Sequence, residues 1–128
     1  MIRHAICAIA FSIGLTAAAQ ADELRFHGAL AQDGVRERVT ELLGEQPAWV
    51  DFVLERGGVE GKPITLTLKD QSYEYYETCR PHECVMKRIG MMIGEDGVVY
   101  VRLFGTKTDD QVFGEPPAEI EKVLRAQG

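Results

Sequence analysis

The 128-residue sequence is poor in several things at once. It holds three cysteines, three histidines and one tryptophan. Its longest apolar stretch, residues 6–15, is about half of the ~20 residues a membrane-spanning helix needs, and charge follows soon after at Asp22 and Glu23. Basic charge is also scarce, with 14 Lys and Arg against 20 Asp and Glu and a net charge of −6. A compact acidic chain is a poor ligand for nucleic acid or anionic lipid and suits a basic partner. No glycine-rich phosphate loop is present, and Gly57, Gly58 and Gly61 read as a turn. There is no internal repeat, no low-complexity segment and no linker long enough to divide domains.

The first residues read as a targeting segment. Arg3 and His4 form a short basic region, residues 6–15 are apolar, and Ala19-Gln20-Ala21 fits a small-x-small cleavage site. Residues 1–21 are therefore expected to be a cleavable signal peptide, with a retained N-terminal anchor as the alternative. Residues 22–128 form one domain of 107 residues, enough for one modest core. Cleavage removes Arg3 and leaves 13 basic against 20 acidic residues, a balance of −7. It also removes Cys7. Cys79 and Cys84 remain, and an oxidising compartment makes a disulfide between them the expectation.

Helical periods come first along the domain. Asp33 is expected to cap a helix whose face carries Val35, Val39, Leu42 and Leu43, stopped by Gly44. Pro47 opens a second helix with Ala48, Trp49, Phe52 and Val53. The period then becomes alternating. Ile64, Leu66 and Leu68 predict a half-buried strand, residues 72–79 its partner, residues 85–93 a third strand and residues 98–104 a fourth. Gly94-Glu95-Asp96-Gly97 is a hairpin signal. Pro116-Pro117 opens a last helix with Ile120, Val123 and Leu124 on its apolar side. Helices, hairpin-linked strands and a closing helix describe an α+β domain, a central antiparallel sheet flanked by helices. Tyr73 and Tyr75 share one strand face. Tyr76 takes the other, near the cysteine loop, where two roles stay open: sheet packing and the rim of an interface.

The turn between the second and third strands is Cys79-Arg80-Pro81-His82-Glu83-Cys84. Closing so small a ring stabilises a domain by only about 2 kcal/mol in the chain-entropy account. The ring does more to fix the shape of the loop, and Pro81 restricts both itself and Arg80. A rigid polar tip carrying an imidazole loses little entropy on binding, so the loop has the form of a plug. A merely stabilised turn is the plainer alternative. A metal site built from Cys79, His82 and Cys84, with His27 as a fourth ligand, does not match a common zinc spacing. Redox chemistry favours Cys-x-x-Cys at a helix start. His82 has no serine in the loop to activate, and Glu74 and Glu77 point to opposite faces of one strand, so no acid/base pair is apparent. The chain is expected not to be an enzyme, and no cofactor is implied.

The loop resembles the Cys-Lys-Pro-His-Asp-Cys loop of the inhibitor of vertebrate lysozyme (Ivy) family. Pro47-Ala48-Trp49-Val50 resembles that family's Pro-Ala-Trp-Val segment, and residues 64–79 resemble its first strand pair. Phe113-Gly114-Glu115-Pro116-Pro117 is similar to some members. Arg80 stands where the family has Lys and Glu83 where it has Asp, both keeping charge. The resemblance implies a periplasmic protein of the Gram-negative envelope that shields peptidoglycan. It also implies a protruding loop that enters the substrate cleft of c-type lysozyme and brings His82 to its catalytic carboxylates. Two alternatives stay open: a regulator of bacterial lytic transglycosylases using the same loop, and a non-inhibitory structural member. The segment after the fourth strand is shorter than in the family, and a homodimer is left open.

Overall fold

The computed structural model describes residues 23–106 and 109–128. The expected signal peptide and Cys7 lie outside the described residues. The elements run α1 (Phe26–Leu30), α2 (Val35–Leu43), α3 (Ala48–Arg56), β1 (Val59–Glu60), β2 (Ile64–Leu68), β3 (Gln71–Cys79), β4 (Arg88–Gly94), β5 (Val99–Phe104), β6 (Gln111–Phe113) and α4 (Ala118–Arg125). This is an α+β fold around one antiparallel sheet.

The sheet has the order β1-β3-β4-β5-β6, and β2 also pairs with β3. β1 and β2 lie in tandem along the same edge of β3, opposite Cys79–Thr78 and Tyr75–Gln71 respectively. Period-two alternation sorts the side chains onto two faces. Tyr76, Ile89, Met91, Val101 and Leu103 face a core built with Phe26, Leu30, Val39, Val50 and Val53 from the three N-terminal helices. Tyr73, Tyr75, Met92 and Tyr100 face Leu124 of α4, with Ile120 and Val123 partly buried beside it.

The expected helices and central strands are present, with several corrections. Gly34, not Asp33, is the N-cap residue of α2; its φ of 79° is in the left-handed region, and no side chain caps the helix. In α3 the buried face is Val50, Val53 and Leu54. Phe52 is 42% exposed, because it lies on the opposite side of the turn. Trp49 packs at the margin of the core. The third strand begins at Arg88 rather than at residue 85, and Val85 is an exposed turn residue. Ile64 is likewise exposed, since β2 is an edge strand that among the described residues pairs with β3 alone. Three short elements, α1, β1 and β6, had no readable period. The turn at Lys69-Asp70 places both residues at positive φ, 49° and 63°, as a two-residue primed hairpin requires.

Candidate functional site

The site sits where β3 hands over to β4. Cys79 ends β3 opposite Arg88, the first residue of β4, so strand pairing itself fixes both feet of the loop. Cys79 and Cys84 are joined by a disulfide, with Cα atoms 4.8 Å apart. The Arg80 N–H donates to the Lys87 carbonyl at 3.0 Å and closes the base.

Inside the ring, the Glu83 N–H donates to the Arg80 carbonyl at 2.9 Å, which makes residues 80–83 a β-turn. Pro81 occupies its second position. His82 occupies the third with φ 68°. Proline followed by a left-handed residue is the type II pattern, and that third position normally favours glycine or asparagine. A histidine held there is uncommon and bears some backbone strain. Pro81 and His82 are both exposed.

A second turn follows. The Met86 and Lys87 N–H groups both donate to the Glu83 carbonyl at 2.9 Å. Glu83 thereby anchors both turns through its backbone, and its side chain anchors them again. Its carboxylate lies 3.0 Å from Arg80 Nε and 3.1 Å from Lys87 Nζ. The Arg80 guanidinium also lies 5.7 Å from the centre of the Phe52 ring, tying the loop to α3. On the other side, the Thr106 N–H donates to the Val85 carbonyl at 3.0 Å. Gly105 packs directly on the Met86 backbone, leaving no room there for a Cβ.

Beside the disulfide is an open groove of about 540 Å³, lined in part by Val59, Glu77, Cys79, Cys84, Val85 and Arg88. Glu77 accepts a hydrogen bond from the Tyr75 hydroxyl at 2.9 Å and faces Arg88 at 3.6 Å. Burial, with the Glu77 carboxylate alongside, pushes the Tyr75 phenol up, so it stays a protonated donor.

The six loop residues named from the sequence are thus brought together in one closed unit. Tyr76 is not at a rim: it is 6% exposed and belongs to the larger core, because its strand face looks toward the N-terminal helices. His27 is far from a metal-ligand role. Its Nδ1 lies 2.6 Å from Glu60 Oε1 and its Nε2 2.8 Å from the Val53 carbonyl, bridging α1 to α3 and β1. Among the described residues no group of three His, Cys, Asp or Glu side chains is arranged to hold a metal ion. Glu74 and Glu77 occupy opposite faces, Glu74 accepting from Thr65 Oγ1 across the edge. Sequence reasoning missed Phe52, Lys87 and Gly105 as braces of the loop. The four-residue spacing of Glu83 and Lys87 was a usable signal for one of them. Nothing local pointed to the other two.

No family model matches the sequence. Among curated proteins, the chain is 28% identical over 108 residues to the inhibitor of vertebrate lysozyme of Escherichia coli strain K12, and equally to that of strain O157:H7. The match covers 83% of this chain and 66% of the length of each relative, just under two thirds. The similarity suggests the lysozyme-inhibitor family, and both relatives are named as inhibitors.

Proposed function

We propose that this chain is a proteinaceous inhibitor of c-type lysozyme, and that it works by inserting the Cys79–Cys84 loop into the enzyme's substrate cleft with His82 leading. The observation that carries the reading is an exposed imidazole on a disulfide-closed, strained turn, in a chain similar to named lysozyme inhibitors over 83% of its length. Glycosidases of the target class cleave with two carboxylates in different environments. An imidazole between those carboxylates hydrogen-bonds to them and fills the space a sugar ring needs. The fixed loop loses little conformational freedom on docking. Export to the periplasm through residues 1–21 belongs to the same reading.

The test is inhibition of a c-type lysozyme by the chain, beside three altered samples. His82→Ala removes the imidazole but also burdens the left-handed position, whereas His82→Gly removes the imidazole and relaxes the backbone. Both are expected to weaken inhibition by a factor of about 30 or more, the loss of a central contact residue. A reduced and alkylated sample is expected to inhibit poorly with His82 intact. Full inhibition by His82→Gly would remove the imidazole from the mechanism.

A further inference from the structure

The Glu83 carboxylate is held between two cations. Arg80 Nε and Lys87 Nζ approach its two oxygens at 3.0 and 3.1 Å, one on each. Arg80 reaches onward to Phe52 on α3, and its own N–H is tied to the Lys87 carbonyl. Backbone, carboxylate and ring together form a brace running from α3 through both turns of the loop to the foot of β4. His82 is the one loop side chain with an ionisable group that this brace leaves outside.

We propose that Glu83 is a positioning residue for the inhibitory loop. Its carboxylate stays on Arg80 and Lys87 in the complex and makes no bond to the enzyme, and it acts by holding the Pro81-His82 turn in its strained form. The inference rests on the inhibitor reading and deepens it by dividing the loop into a contact group, His82, and a clamp, Glu83 with Arg80 and Lys87. The clamp has an electrostatic corollary. Counted from Arg80 to Lys87, one carboxylate against two cations leaves the braced segment with one net positive charge before His82 is counted. A positive segment behind the tip suits a cleft lined with carboxylates, whereas a free Glu83 carboxylate would be repelled by it.

Two measurements test this, and they fail separately. The first uses the free protein. The backbone amides of His82 and Glu83 are expected to show rigid ¹⁵N relaxation in the wild-type chain and fast motion in Glu83→Gln, with the Phe52 ring resonances shifting as Arg80 leaves. Unchanged relaxation and unchanged Phe52 resonances would overturn the clamp, whatever the enzyme assay shows. The second is inhibition of a c-type lysozyme in a double-substitution cycle. Glu83→Gln is expected to weaken inhibition about five- to tenfold. Lys87→Met in that background is expected to add little, because the two act as one unit. Fully additive losses would mean that Glu83 and Lys87 act independently, and would overturn the proposal. Absence of inhibition by the wild-type chain would instead remove the inhibitor reading, with the relaxation measurement still deciding the clamp.

Discussion

Two residues with no functional group show how tightly the loop is set into the body. A Cβ on Gly105 would lie 2.2 Å from the Met86 carbonyl oxygen and 2.4 Å from its carbon, and that neighbour is backbone and cannot swing aside. Gly105→Ala is therefore expected to cost about 1–3 kcal/mol of stability, read from thermal or urea unfolding. The displacement falls on residues 85–86, so its amide resonances should shift from Glu83 to Lys87 and inhibition should weaken more than global stability accounts for. Gly90 poses a similar constraint on the sheet face, where the Tyr75 ring lies across it with the hydroxyl 2.5 Å from a would-be Cβ. That ring delivers the hydroxyl to Glu77 and so helps hold the polar floor of the groove beside the disulfide. Neither constraint is visible in sequence, because a glycine inside a strand or at its end gives no sign of what crosses it.

At the scale of elements, α4 is held to the sheet by an arginine as much as by its apolar side. Arg102 is 6% exposed and projects from β5. It makes a two-pronged pair with Asp110, at 2.7 and 3.0 Å, and donates to the carbonyls of Leu124 and Gln127 at the end of the helix. A cation at a helix C-terminus is favourable, and this one is nearly dry. Burial alone would raise the Asp110 carboxyl, but hydrogen bonds and charge from Arg102 and Arg125 outweigh it and hold the group below its ordinary range. Glu60 is likewise held low, burial being outweighed by its bonds to His27. A carboxylate whose folded value is depressed adds stability above its unfolded value, near pH 4, and loses it as pH falls through the folded value. Acid unfolding below about pH 4 should therefore be shallower in Asp110→Asn, with a loss of about 1–2 kcal/mol at neutral pH, small because Asp110 is itself one-third exposed. Urea unfolding from pH 7 to pH 2.5 reads both.

Much of this scale was legible beforehand. The helical period at Val35, Val39 and Leu43 survives in the fold because α2 buries one face, and the Tyr- and Thr-rich residues 72–79 fall in β3, which buries side chains on both faces. Val85 was misread because an apolar residue four before Ile89 fits a strand pattern, whereas the hydrogen bonds of Glu83 turn the chain there instead. The short strands β1 and β6 were unreadable because three residues or fewer carry no period. The loop was legible as a motif, down to its disulfide. Its brace was not, since Arg80 meets Phe52 across 28 residues of chain by tertiary packing alone.

For the whole molecule, charge is divided unequally. The chain carries a net −6, yet the braced loop carries one net positive charge. On the proposed reading, a basic enzyme is drawn by the body while its acidic cleft receives the tip. Association with a basic lysozyme is accordingly expected to slow by about tenfold between roughly 10 and 150 mM salt, with dissociation changing much less. Stopped-flow mixing measures both rates, and an association rate indifferent to salt would take steering out of the account.

The tandem placement of β1 and β2 has a consequence for how the molecule behaves in company. A single unbroken strand along that edge of β3 would offer a long row of free backbone groups to any neighbouring chain. Here the row is split at Gly61-Lys62-Pro63, where proline has no N–H to offer and the Gly61 N–H is turned inward to the Glu77 carbonyl. The remaining ladder, Ile64–Leu68, is five residues long with lysines at 62 and 69 close to its ends. Concentrated or partly unfolded chains therefore meet a short, charge-flanked template, and stacking into fibres is disfavoured along this edge of the sheet.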